Sequence, residues 1–345
     1  KEVDKGFSSG QLILGNKVKL LEHNFSKYLK LKYGIGVNSG TDALVCALSA
    51  LGIGPGDEVI TPPNSFVAST AAICRIGARP VFSDVGPDQN IDPSRIESLI
   101  NKKTRAIMPV HLTGRVSAMP EINELAEKYN LKVIEDAAQA IGSELDGKRA
   151  GTLGTVGCFS THPLKNLNAC GDGGFVTTNN RSIADQIRIG RNHGIKDRDT
   201  VLRFGHVSRL DAIQAAILSY RLKHLPRIIE KRRTNASIYL SHLNLDHVFV
   251  PKEKEGEFNT YHTFVIQVEN RDELQKHLLD KGIGSAVHYP VPIHLQPAAS
   301  ALGYKEGDFP QAEIQAKRIL SIPIHQYLSS NDVHFVAETI NQFLR

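Results

Sequence analysis

The sequence has 345 residues, 41% of them hydrophobic and 22% charged, with a formal net charge of +5. Such a chain buries a sizeable core and has room for more than one domain, which excludes a disordered protein. Acids and bases mix along it without a basic block, which argues against nucleic-acid binding, and no apolar run is long enough to span a bilayer.

Residues 1–30 read as an arm and a first helix. Val18, Leu20, Leu21, Phe25 and Tyr28 recur at roughly helical spacing, and residues 6–15 are loop-like. From about residue 33, strands and helices alternate. The pattern predicts a strand over 33–38, a helix over 41–51, a strand over 58–61, a helix near 66–76 and a strand over 80–84. It continues with a strand over 105–111, a helix near 120–129, a strand over 132–135 that ends in an acid, and another strand over 173–178. Short apolar, β-branched runs between helices imply an α/β fold with a mainly parallel sheet sandwiched by helices. Residues 209–243 form a long helical stretch, expected to break at Pro226. On it, Lys231-Arg232-Arg233 is expected to be a solvated face. A smaller α+β C-terminal domain follows, with a strand over 262–268, a helix over 271–281 and a last helix over 331–343.

Two stretches carry chemistry. In Cys158-Phe159-Ser160-Thr161-His162-Pro163-Leu164-Lys165-Asn166-Leu167, one lysine stands among polar residues and a proline, just before Gly171-Asp172-Gly173-Gly174. Lys165 follows Asp136 by 29 residues, and Asp136 ends the strand in Val133-Ile134-Glu135-Asp136-Ala137-Ala138-Gln139. A strand-end Asp followed by a loop Lys suits pyridoxal phosphate. The lysine forms a Schiff base, and the carboxylate keeps the ring nitrogen protonated so that the ring accepts electrons. Ser39-Gly40-Thr41 opens a helix after a strand, where free N–H groups suit a phosphate. Each has an ordinary alternative: a surface lysine for Lys165, and helix caps for Asp136 and for Ser39 with its neighbours. Cys46, Cys74, Cys158 and Cys170 form no CxxC pair, so no metal site is expected. They read as reduced thiols of a cytoplasmic protein. The sequence is read as having no secretory leader.

These stretches, with Asn38-Ser39-Gly40-Thr41-Asp42-Ala43-Leu44, Gly56-Asp57-Glu58-Val59-Ile60 and Arg209-Leu210, resemble the DegT/StrS family of pyridoxal-phosphate sugar aminotransferases, which have an aspartate-aminotransferase-like fold. The resemblance runs over nearly the whole chain in the family's order. It implies a division into the arm and first helix (1–30), a large cofactor-binding domain (31–208), a connecting helical stretch (209–243) and a small domain (244–345). Lys165 is implied as the catalytic residue. Gly40, Thr41 and Ser160 are implied at the phosphate, Phe66 against the ring face, Asp136 at the ring nitrogen and Gln139 at the phenolic oxygen. His162, Arg209, His288, Tyr289 and His294 are implied on the substrate side. Arg209 suits a carboxylate, and prolines stiffen the loop over 287–294.

By resemblance the reaction is ping-pong. Glutamate leaves as 2-oxoglutarate and converts the cofactor to pyridoxamine phosphate, which then aminates a keto-sugar, expected to be nucleotide-linked. The resemblance also implies a homodimer with the active site at its interface, and products used in surface polysaccharides or glycosylated antibiotics. Family members carry residues before the point where this sequence opens, at Lys1. One position departs from the family: Val207 stands where it usually has an Asn that reaches the neighbouring subunit's phosphate. His206 or Ser208 substitutes for it, or one contact is lost. Two other readings stay open. The family's sugar 3-dehydratases carry histidine in place of the lysine, which Lys165 argues against, but lysine-bearing aminohydroxybenzoate synthases remain. A non-catalytic regulator on the same fold is the other.

Overall fold

The computed structural model describes residue 8 and residues 10–345, so Gly6, Phe7 and Ser9 of the expected arm lie outside the described residues. Helix α1 (Gly15–Leu29) buries Val18, Leu21 and Phe25, while Leu20 of the same predicted stripe faces outward. Then come β1 (Tyr33–Val37), α2 (Gly40–Ala50), β2 (Glu58–Thr61), α3 (Ala68–Arg75), β3 (Arg79–Phe82), β4 (Thr104–Ile107), α4 (Met119–Lys128), β5 (Lys132–Asp136), β6 (Val156–Ser160), β7 (Gly174–Thr178) and α5 (Arg181–Gly190). The expected elements appear with their types and with ends shifted by at most four residues, while α5 lies outside the sequence pattern.

The seven strands form one sheet in the order β1-β7-β6-β5-β4-β2-β3. β3, β2, β4, β5 and β6 run parallel, while β7 is antiparallel to both β6 and β1. Side chains alternate between faces as strand pleating demands. Ile60, Ile107, Val133, Phe159 and Phe175 join one core with α1, α4 and the long helix α6 (Ala212–His242). Val59, Ala106, Ile134, Cys158 and Val176 join the other with α2 and α5. The fold is thus α/β, a mostly parallel sheet covered on both faces.

Phe25 stacks on Phe175 with ring centres 4.1 Å apart and meets Phe159 edge-on at 5.3 Å. Phe159 is fully buried. Truncation there removes a large apolar side chain and leaves a cavity. Phe159→Ala is expected to destabilise the fold by about 3–5 kcal/mol, read as a drop in the chemical-denaturation midpoint.

Helix α6 runs unbroken through Pro226, which corrects the expected break. Proline removes one backbone bond, but burial of Leu222, Leu225 and Ile229 against the sheet holds both halves on one axis. Arg232 is a second correction. It is 7% exposed, and its guanidinium donates to the carbonyls of Tyr261 and His262, both at 3.0 Å. Burial lowers its pKa to about 10.

The C-terminal part pairs β8 (Phe264–Gln267) with β9 (Ile319–Ile322), antiparallel. With α7 (Arg271–Asp280), α9 (Ser330–Phe343) and the end of α6 they enclose a third core around Tyr239, Leu274 and Ile340. Helix α8 (Pro310–Arg318) has no side-chain cap of its own at Phe309. Asp84, just past β3, takes the N–H groups of Gln311 and Ala312 at 3.0 Å each. A carboxylate at a helix N-terminus is favoured by the free N–H groups and the helix dipole, and here it ties the C-terminal part to the sheet.

Candidate active site

Asp136 closes β5 at its carboxyl end, the side of a parallel sheet where ligands sit. The carboxylate is buried, and each oxygen accepts one hydrogen bond. Oδ2 accepts from the Ser69 hydroxyl at 2.7 Å, and Oδ1 accepts from the Ala138 N–H at 3.2 Å. Burial pushes its pKa up. The bonds from Ser69 and Ala138, and the positive charge of Lys165, pull it back. Lys165 lies in the loop after β6. Burial pushes its amine pKa down, opposed by the Asp136 charge. Lys165 N–H donates to the His162 carbonyl at 2.8 Å, which closes a tight turn and fixes the lysine's backbone. The structure therefore brings a desolvated amine and a buried carboxylate within electrostatic reach of each other. Glu135, next to Asp136, accepts from His111 at 2.9 Å and from the N–H groups of Gly151, Leu153 and Gly154. That bracing fixes the end of β5.

Helix α2 supplies an anion cradle. Its N-cap Ser39 takes the Asp42 N–H at 3.1 Å, which leaves the first-turn N–H groups of Gly40 and Thr41 for a ligand. Gly40 is required by close approach: a Cβ there would lie 2.6 Å from the Cβ of Ser160, at the end of β6. The helix start and Ser160 thus converge on one spot. The Ser160 hydroxyl oxygen accepts from the His162 N–H at 3.3 Å and keeps its own proton to donate.

Gln139 is buried, and its carbonyl oxygen accepts from the Thr113 N–H at 2.8 Å, leaving its amide to donate. Phe66 is 54% exposed, so it is not a core residue; its ring faces Tyr289 with centres 5.7 Å apart. Burial, with the Asp136 charge adding to it, pushes Tyr289 up to about 12, so its hydroxyl stays protonated. His288 bonds the Ser321 hydroxyl through Nδ1 at 2.9 Å. Burial and then Lys165 push its pKa down, favouring a neutral ring.

Other expected residues fall elsewhere. His294 is 2% exposed, bonded to Glu313 at 2.9 Å and packed edge-on to Phe309. It braces α8, and the expectation that it meets substrate is corrected. His162 is exposed, with Nδ1 accepting from the Leu164 N–H at 3.3 Å. Arg209 donates to Asn192 at 3.2 Å, and its Nε is buried without a partner. Val207 is half-exposed. Ser208 is buried and accepts from the Asn38 N–H, and His206 turns to Cys46 at 3.5 Å.

Two residues here escape the sequence reading. Ser69 holds Asp136. His262 lies within electrostatic reach of Lys165, has a buried Nδ1 without a partner, and is kept neutral chiefly by burial. The donor set fits pyridoxal phosphate: a buried carboxylate, a desolvated amine, an aromatic face and a cradle of free N–H groups. No cluster of potential metal ligands occurs among the described residues.

Comparisons with known proteins place the chain in a family. A family model described as the DegT/DnrJ/EryC1/StrS aminotransferase family matches residues 1–341. The Pleiotropic regulatory protein of Geobacillus stearothermophilus is 45% identical, over 99% of this chain and 93% of its own length. The dTDP-3-amino-3,6-dideoxy-alpha-D-galactopyranose transaminase of Aneurinibacillus thermoaerophilus is 42% identical, over 99% and 94%. Among solved structures, S. venezuelae DesV in complex with ketimine intermediate superposes with a TM-score of 0.97 at 39% identity, covering 100% of this chain and 93% of that one.

Proposed function

This chain belongs to the DegT/DnrJ/EryC1/StrS aminotransferase family, and on that premise we propose that it moves the amino group of glutamate to a nucleotide-linked keto-sugar. It is a pyridoxal-phosphate-dependent transaminase by family and by likeness to solved members. The observation that carries the reading is a desolvated Lys165 amine within electrostatic reach of the buried Asp136 carboxylate, at the carboxyl end of β5. The nucleotide-linked substrate is supported by the transaminase named for a dTDP-amino sugar. A regulator on this fold is favoured by the regulatory name of the Geobacillus relative and by the sensory-transduction name of a Saccharopolyspora one; the intact Lys165 and Asp136 favour catalysis.

When bound, the cofactor supplies an aldehyde carbon and a ring that takes up an electron pair. The chain does the rest. The Gly40 and Thr41 N–H groups and the Ser160 hydroxyl bind the phosphate. Phe66 would offer an aromatic face to the cofactor's ring. Asp136 holds a proton at the ring nitrogen, and Gln139 donates to the phenolic oxygen. Lys165 anchors the cofactor through its Nζ. Once displaced, the amine would serve as the base that takes the proton from the donor's α-carbon and, protonated, as the acid that returns a proton in the sugar half. His288 and Tyr289 border the sugar, and Arg209 meets the donor's carboxylate.

The test is a single turnover without keto-sugar. Holoprotein given glutamate is expected to form about one 2-oxoglutarate per active site, as ping-pong chemistry requires. No 2-oxoglutarate above background would contradict the reading. Phe66→Ala is expected to weaken pyridoxal phosphate binding about two- to tenfold in equilibrium titration of the apoprotein.

We place the active site at a homodimer interface. Phe204 is 101% exposed, and Val201, Leu202 and Val207 also face outward around the hairpin of Ile195–Asp197 and Thr200–Val201. Apolar exposure of this extent is what a second copy covers. Phe204→Asp is expected to shift the protein from dimer to monomer in sedimentation and to lower transamination with it. We place the protein in the cytoplasm, on its four unpaired cysteines. No helix of the described residues is long and apolar enough to cross a membrane.

A further inference from the structure

Ser69 sits in the first turn of α3, three residues after Phe66, and its N–H donates to the Phe66 carbonyl at 3.4 Å. Ala72 and Ile73 anchor the helix; both are fully buried in the core that α2 shares. One turn of chain therefore carries the exposed ring of Phe66 and the hydroxyl that meets Asp136. Ser69 itself is 1% exposed. Its hydroxyl has one proton and two acceptors in range, Asp136 Oδ2 at 2.7 Å and the Phe66 carbonyl at 3.5 Å. The shorter bond, to an oxygen that carries charge, takes the proton.

That bond has one sense. A carboxylate ion only accepts, so Ser69 donates to it, and a donor to the ionised form favours that form. Burial works the other way and favours the protonated acid. The other titratable groups near Asp136 come from several elements. Lys165, in the loop after β6, and His111, just past β4, also favour the ion, each less than Ser69 does. Cys158 on β6 and Tyr289 stay protonated, chiefly through burial. Glu135 spends its oxygens on His111 and three backbone N–H groups. Ser69 is thus the strongest single influence that keeps Asp136 charged. A carboxylate has about four acceptor sites, so Asp136 can keep Ser69 and Ala138 and still accept from a ring N–H.

We propose that Ser69 is a positioning residue for the transamination: its hydroxyl keeps Asp136 ionised and fixed in rotation, so that the proton shared with the cofactor stays on the ring nitrogen. The proposal rests on the pyridoxal-phosphate reading above for the claim that a ring nitrogen faces Asp136. Without Ser69 the carboxylate is a stronger base and takes a larger share of that proton. A ring that loses its positive charge takes up an electron pair less readily. Ser69 acts on the reaction in this way without touching substrate.

The test is nitrogen-15 NMR of holoprotein loaded with pyridoxal phosphate enriched at the ring nitrogen. Wild type is expected to give a resonance in the range of a protonated pyridine. Ser69→Ala is expected to move it towards the unprotonated range, a shift that a purely structural role of Ser69 would not cause. Ser69→Cys, close in size and a far weaker donor, is expected to act in the same direction and serves where Ser69→Ala does not fold. A second measurement needs no cofactor. The Ser69 bond favours the ionised carboxylate, so its contribution to stability is present above the Asp136 pKa of the folded chain and fades as pH falls through it. The Ser69→Ala apoprotein is therefore expected to unfold at a lower temperature than wild type at neutral pH, with the gap narrowing in acid. An unchanged ring-nitrogen resonance in the variants, an unprotonated one in wild type, or a loss of stability that does not vary with pH overturns the proposal. No pyridoxal phosphate on wild type would overturn the cofactor reading and the proposal with it. Neither measurement involves glutamate, so both fail separately from the single turnover that tests the transaminase reading.

Discussion

Lys165→Ala is expected to fold, to bind pyridoxal phosphate without a covalent bond, and to transaminate on the order of 10⁴-fold more slowly than wild type. The size follows from two roles on one atom. Nζ anchors the cofactor, and it moves the proton at the donor's α-carbon. Two nearby histidines are poorly placed to replace it: His288 is bonded to Ser321 and His162 is exposed. The fold is expected to survive because Lys165 lies in the loop after β6, outside every helix and strand. Its turn to His162 uses only backbone. Added small amines are expected to restore part of the rate, because they replace the base without replacing the anchor. The measurement is glutamate-dependent 2-oxoglutarate formation, with and without amine. A variant within tenfold of wild type would remove Lys165 from the chemistry.

Asp136→Asn has the second largest expected effect, a rate loss of about 10²–10³-fold, the scale of removing one group aimed at charge that develops in the reaction. The amide carries no charge to hold a proton at the ring nitrogen. The same change acts oppositely on stability. Burial raises the Asp136 pKa in the folded chain above that of a free carboxyl, so the ionised form is disfavoured by folding. That penalty is present above the raised pKa and disappears as pH falls through it towards the unfolded value. The cofactor-free Asp136→Asn protein is therefore expected to be more stable than wild type at neutral pH, with the gap closing in acid. Thermal unfolding of both apoproteins across pH reads it. A variant less stable than wild type at neutral pH would show that the bonds from Ser69 and Ala138 outweigh the burial of charge.

Much of this was legible in the sequence because it is local. The period-two strands and the helices between them appear within windows of a dozen residues. Lys165 and Asp136 stand out against their immediate neighbours. What escaped depends on partners far along the chain. Ser69 reads as one more small residue of a helix, and its bond to Asp136 spans 67 positions. Arg232 reads as one of three basic surface residues, until the carbonyls of Tyr261 and His262 meet it some 30 positions on. His294 sits in a loop rich in histidine and proline, and only the fold reveals Glu313 as its partner. The antiparallel β7 between β1 and β6 is likewise invisible locally, because strand order is a property of the whole sheet. Pro226 misled for the reverse reason: its local signal is strong, and tertiary burial of α6 outweighs it.

The most direct measurement is borohydride reduction of the holoprotein followed by peptide mass analysis, with and without prior glutamate. The account predicts a pyridoxyl group on Lys165 in untreated protein. After excess glutamate, with 2-oxoglutarate removed, that label should be largely lost because the cofactor has left the lysine as its amine form. A label on another lysine, no label at all, or a Lys165 label untouched by glutamate would contradict it.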